Sequence, residues 1–145
     1  MKTRKSEFIS QSPEETRKIA RDLASRLKPP KVIGLKGDLG AGKTVFVQGF
    51  ADYFGIQEVR SPSFTLINEY KNSVKIYHVD LYRIEAADEL YPAGFFDLLE
   101  DPNAFTLVEW PEKVAEVVNF HVMVYIYHLS ELSRKIEIVE FVPNL

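Results

Sequence analysis

Residues Gly37–Val45 read GDLGAGKTV, three glycines and an alanine crowded around one lysine and one threonine. Glycine weakens regular structure, so such a run needs a chemical reason. Gly37, Gly42, Lys43 and Thr44 fall in the fixed places of G-x-x-x-x-G-K-[ST], a phosphate-cradling pattern. A polyphosphate needs many donors in a small concave space. Backbone N–H groups supply them where no side chain intervenes and the dihedrals can turn inward. A helix starting at Lys43 would add unpaired N–H groups and the positive end of its dipole. The loop residues Gly37, Asp38, Leu39, Gly40, Ala41, Gly42, Lys43, Thr44 and Val45 are therefore the candidate set for binding a nucleotide's phosphates. In it, Lys43 reaches the β- and γ-phosphates and the Thr44 hydroxyl binds Mg²⁺. The Asp38 carboxylate must point outward, because it would repel the phosphates.

Such a site also needs an acid at the end of a neighbouring strand to hold Mg²⁺. Asp80 ends KIYHVD and Glu109 ends FTLVE. The second strand is the more continuously apolar, as a central parallel strand should be, which favours Glu109 on the metal. Asp80 then approaches from the side, near the metal or near the attacking water. Lys43, Asp80 and Glu109 form the candidate catalytic set, and Thr44, Glu109 and Asp80 the candidate metal set. Ser61, Ser63 and Thr65 in SPSFT could sense a γ-phosphate through a hydroxyl. Trp110 follows Glu109 and has two open roles, a place near the nucleotide or plain packing, the commoner role for a tryptophan. His78, His121 and His128 share no ligand spacing and are read as structural or exposed. Adenine contacts are left open, with Arg134 and the N-terminal segment as candidates.

The elements that must position these groups can be read in order. Phe8–Ser10 is a short edge strand. Ser12 caps a helix with Pro13 at its first position and Glu15 closing a capping box. Ile19, Ala20, Leu23 and Leu27 form its buried stripe, and Pro29 and Pro30 stop it. Lys31–Lys36 is a buried strand, and a helix runs from Lys43 to Gly55. SPSFTLINEY and SVKIYHVDLY are two strands joined by a turn at Lys71, Asn72 and Ser73. Arg83–Pro102 is acidic and broken into short helices and loops. Ala104–Trp110 is a further buried strand, PEKVAEVV is helical, and HVMVYIYHL and RKIEIVEF form a strand pair. These elements predict one domain over 1–145 of α/β class, a three-layer P-loop NTPase-like fold with a mixed central sheet flanked by helices.

The bulk numbers narrow the functions. The 145 residues carry a net charge of −3, no cysteine and three histidines. Disulfide and thiolate chemistry are excluded, and a structural zinc is disfavoured. A free-standing nucleic-acid binder is usually basic, so any RNA is held indirectly, through partners. No apolar run is long enough to span a membrane and no signal-peptide pattern opens the chain, so a cytoplasmic protein is expected. A small-molecule kinase is disfavoured because the segment that should form its lid is acidic rather than arginine-rich. A GTPase is disfavoured by the lack of an N-K-x-D stretch. An ATP-gated binding module with negligible turnover stays open beside an ATPase.

GDLGAGKT, SPSFTLINEY, HVDLYR and LVEWPEK stand in this order, and with them the chain resembles the bacterial TsaE (YjeE) family. The resemblance runs from about Lys31 to Lys113. It implies the small Mg-dependent ATPase of tRNA threonylcarbamoyladenosine synthesis, a cytoplasmic protein joined to TsaB and TsaD. In that family TsaD transfers the group and ATP hydrolysis drives or resets the cycle. It further implies Gly37–Thr44 as the phosphate loop, Ser61–Thr65 as a switch segment, Asp80 and Glu109 as the acids of hydrolysis, and Trp110 beside the site. Two departures stand out. Val45 occupies a place where the family often has a second threonine, and Ser63 replaces the threonine of S-P-T.

Overall fold

The computed structural model describes residues 2–62 and 66–142. Its centre is a seven-stranded mixed sheet formed by β1 (Lys2–Ser10), β2 (Lys31–Lys36), β3 (Ile67–Lys71), β4 (Lys75–Asp80), β5 (Ala104–Glu109), β6 (Val122–His128) and β7 (Arg134–Val142). The spatial order is β1-β7-β6-β2-β5-β4-β3. The four inner strands β6, β2, β5 and β4 run parallel, and the outer strands join antiparallel. The expected α/β class with a mixed sheet is borne out. Every residue of β5 is buried, as a strand covered on both faces requires. β2 and β5 lie side by side, so their carboxyl ends put the glycine loop next to Glu109.

One face is covered by α1 (Pro13–Arg26) and α2 (Lys43–Tyr53). Leu23, Phe46 and Phe50 from these helices pack on Ile33, Leu35, Phe105 and Leu107 from the sheet. The α1 cap forms as expected at Ser12, whose Oγ accepts the Glu15 N–H at 3.1 Å. The Glu15 carboxylate, however, accepts from the Gln11 N–H at 3.2 Å, one residue before the cap, so the capping box is displaced by one. The second face carries only short helical pieces: a 3-10 turn at Ala87–Leu90, α3 (Phe95–Leu98) and a 3-10 turn at Pro111–Val114. They cover Val32, Val79 and Val108 with Leu90, Phe95 and Val114. The same face of β6 and β7 is open, with Met123, Tyr125 and Phe141 lining a hollow of about 630 Å³.

Three elements differ most from the sequence reading. The first strand is nine residues long rather than three and pairs along its whole length with β7. The strand expected from Ser61 begins at Ile67. The helix expected from PEKVAEVV amounts to one 3-10 turn.

Candidate functional site

The glycine loop takes its shape from two left-handed positions, Gly40 (φ 77°) and Gly42 (φ 107°), which side chains rarely tolerate. Gly37 is needed for closeness instead, because a Cβ there would lie 2.8 Å from the Ile126 carbonyl oxygen. Ala41 N–H donates to the Asp38 carbonyl at 3.0 Å, closing a turn, and α2 starts immediately after Gly42. Its first N–H groups have no partner within the helix. In front of them lies a hollow of about 350 Å³, lined in part by Gly42, Lys43, Thr44, Ser61, Asp80 and Glu109.

Lys43 is buried at the edge of this hollow. Its Nζ donates to the Gly37 carbonyl and lies 3.9 Å from the centroid of the Trp110 ring. Burial pushes its ammonium below the usual lysine range, and the charges of Glu109, Asp80, Glu112 and Asp38 oppose that shift. An ammonium parked on a carbonyl and an indole is only partly compensated and available to a better anion.

The acids are set by strand register. Asp80 and Glu109 are direct partners in the parallel pair β4–β5, so both carboxylates reach the same end of the sheet. Glu109 is 4% exposed, and its Oε2 lies 2.6 Å from His78 Nε2 and 3.5 Å from Thr44 Oγ1. Thr44 Oγ1 in turn lies 3.4 Å from Ser61 Oγ. Asp80 accepts the Tyr82 N–H at 3.0 Å. Burial raises its carboxyl above the usual range; the Tyr82 N–H opposes this, and the neighbouring Glu109 charge adds to it. Trp110 sits at φ 62°, the only non-glycine residue with positive φ among the described residues. Its ring lies 5.2 Å from that of Tyr82. A strained aromatic beside an unspent ammonium is the kind of conformation that clusters at functional sites.

The sequence profile described as Threonylcarbamoyl adenosine biosynthesis protein TsaE matches residues 10–136. The chain belongs to the TsaE family. A Bacillus subtilis (strain 168) protein named tRNA threonylcarbamoyladenosine biosynthesis protein TsaE is 45% identical over 107 residues, 72% of this chain and 66% of its own length. The protein of the same name from Rickettsia conorii is 42% identical over 74% of this chain and 62% of its own. The chain thus spans slightly under two thirds of these curated relatives, whereas the Aquifex aeolicus TsaE is 38% identical over 91% of this chain and 94% of its own. Among solved structures, that of Bacillus subtilis YdiB superimposes with a TM-score of 0.77 at 31% identity, covering 97% of this chain and 88% of that one.

Within this TsaE chain, Lys43, Thr44, Asp80, Glu109 and Trp110 converge on one hollow, as do Leu39, Gly40, Gly42 and Val45 of the loop. Asp38 is exposed, as its charge requires. Ser61 also lines the hollow, whereas Ser63 and Thr65 lie outside the described residues. His121 is structural, its Nδ1 accepting the Val32 N–H at 2.9 Å. Of the two roles expected for His78, structural or exposed, the first holds: it is fully buried, and its partner is Glu109 of the site. The signal was present in H-x-D, since His78 and Asp80 share one face of β4. Arg134 is occupied as well, its guanidinium donating to loop and hairpin carbonyls.

Proposed function

We propose that this TsaE-family chain is a Mg-dependent ATPase of tRNA threonylcarbamoyladenosine synthesis, acting in the cytoplasm with TsaB and TsaD. The family supplies the pathway. The observation that carries the ATPase reading is the convergence of Lys43 Nζ, Thr44 Oγ1 and the Glu109 carboxylate on the hollow before α2. Unpaired helix N–H groups, a glycine loop and one half-compensated ammonium make a receptor for a triphosphate tail.

The donor set fits Mg²⁺. Thr44, Glu109 and Asp80 offer only hard oxygens, two of them from carboxylates, and the described residues contain no group of three or more His, Cys, Asp or Glu side chains placed to hold a metal. Magnesium keeps several waters and phosphate oxygens, so few protein ligands suit it. When bound, it would neutralise charge that develops on the phosphates. Lys43 would leave the Gly37 carbonyl and the Trp110 face to pair with phosphate. Glu109, fixed by His78, would turn its oxygens toward Thr44. Asp80, beside Glu109, would orient the water that attacks the terminal phosphorus. The net charge of −3 agrees with tRNA being reached only through partner subunits.

The test is calorimetric ATP binding and phosphate release, with and without the partner subunits. Lys43→Ala should weaken ATP binding by about two orders of magnitude, the scale of losing one buried charge-assisted contact. Glu109→Ala and Asp80→Ala should slow turnover by about 10²-fold while binding changes less. ATP binding without phosphate release in any mixture would replace the ATPase by an ATP-gated binding module.

A further inference from the structure

We infer that Arg134 is a positioning residue that presets the peptide planes of the glycine loop for phosphate. The inference rests on the triphosphate reading of that loop. The observation is a half-buried guanidinium ringed by five backbone carbonyls and by no carboxylate among the described residues. Nε donates to the Ala41 carbonyl at 3.0 Å and Nη2 to the Gly40 carbonyl at 3.4 Å. The two hydrogens on Nη1 are shared among the carbonyls of Ser130, Glu131 and Ser133, each at 3.1 Å. One side chain thus holds the β6–β7 hairpin tip and the glycine loop together across 93 residues of chain.

The anchor is rigid. Arg134 opens β7 in register with His128 of β6 on one side and Ser10 of β1 on the other. The tip beyond it is closed by Leu129 N–H to the Ser133 carbonyl at 3.1 Å and by a 2.7 Å contact between the hydroxyls of Ser130 and Ser133.

The consequence follows from peptide planarity. In a trans peptide the carbonyl and the next N–H point in opposite directions. Drawing the Gly40 and Ala41 carbonyls toward Arg134 turns the N–H groups of Ala41 and Gly42 away from it. The Ala41 N–H is taken by the Asp38 carbonyl, which stiffens the turn. The Gly42 N–H has no partner among the described residues, and Gly42 lines the hollow. A loop with left-handed glycines at 40 and 42 has many conformations open to it. Arg134 removes most of them before the ligand arrives, which raises affinity without touching the ligand. It also keeps two carbonyl oxygens from facing the phosphates, where they would repel.

The experiment is calorimetric binding of Mg·ATP and of Mg·tripolyphosphate, a base-free probe, to wild type, Arg134→Ala and Arg134→Lys, with thermal midpoints measured alongside. Arg134→Ala should bind both probes about 10-fold more weakly and by the same factor, with Arg134→Lys between it and wild type. Binding of both probes within twofold of wild type, whatever the thermal midpoint, would reduce Arg134 to a purely structural tie and overturn the inference. A loss for ATP alone would make Arg134 a base contact and overturn it too. Should Arg134→Ala fail to fold, Arg134→Lys is judged by the same criteria. A wild-type chain that binds neither probe overturns the triphosphate reading and the clamp with it. A wild-type chain that binds beside an equally competent Arg134→Ala overturns the clamp alone.

Discussion

His78 and Glu109 show how one buried pair can govern a site. A carboxylate as enclosed as that of Glu109 needs a donor, and His78 Nε2 at 2.6 Å supplies it. His78→Leu should lower stability by roughly 1–3 kcal/mol, the cost of an orphaned buried polar group, and should slow turnover. His78→Gln keeps an N–H near the same place and should recover most of both, which urea unfolding and phosphate release can check. Lys43 adds a pH signature. Its free-protein value is lowered, and pairing with phosphate would raise it, so the complex holds more protons between the two values. Nucleotide affinity should therefore fall as pH rises toward 10.5, beginning earlier than for an ordinary lysine. The same slope should be absent from whatever weak binding Lys43→Ala retains, and calorimetry across pH distinguishes the two. Lys43, Thr44 and Glu109 were legible in the sequence because loop and strand-end chemistry is local. The Glu109 partner of His78 lies 31 residues away and the Ala41 partner of Arg134 93 residues away; the β4–β5 register brings the first pair close, and only the folded arrangement of β7 beside the glycine loop brings the second.

At the scale of elements, α1 and α2 approach each other closely at Gly49 in the layer beside the site. A Cβ on Gly49 would collide with the backbone of Arg17, and backbone cannot swing aside as a side chain can. Gly49→Ala would gain up to about 1 kcal/mol in helix propensity but force the two helices apart, an overpacking cost of about 1–3 kcal/mol. The net expectation is destabilisation, read as a lower denaturant midpoint, with α2 and hence Thr44 displaced. Legibility among the elements followed burial. β2 is legible to both of its ends, because a short apolar strand flanked by prolines and glycines has a sharp signature. The apolar run carries the expected β5 one residue too far, to Trp110, whose left-handed backbone ends the strand at Glu109. Only three residues of β1 are legible, because Lys2–Glu7 is almost wholly exposed and only its pairing with β7 makes it a strand. The single turn after Trp110 looks like a longer helix in sequence, since proline and acid mark a helix start without saying how far it runs.

For the molecule as a whole, the sheet places its parallel strands inside and its antiparallel pairs at the rims, so β1 is an edge. It covers β7 along nine register positions and is tied to α1 by the buried Ser10–Thr16 hydroxyl contact at 2.7 Å. Removing residues 2–10 should uncover the long β7 edge, lower the thermal midpoint and promote association, seen as increased light scattering. It should also loosen Arg134, whose β1 neighbour is Ser10. The α/β class and the order of elements were evident from alternating buried strands and amphipathic helices. The strand order was not, because nothing along the chain states that β7 inserts between β1 and β6.

The contact between the Lys43 ammonium and the Trp110 ring gives the chain its own optical gauge. Trp110 is the sole indole present, so its emission comes from one place without labelling. A cation resting on an excited ring alters its brightness, and an anion that draws the cation off restores it. Occupancy can thus be followed as light, in real time and at low protein concentration.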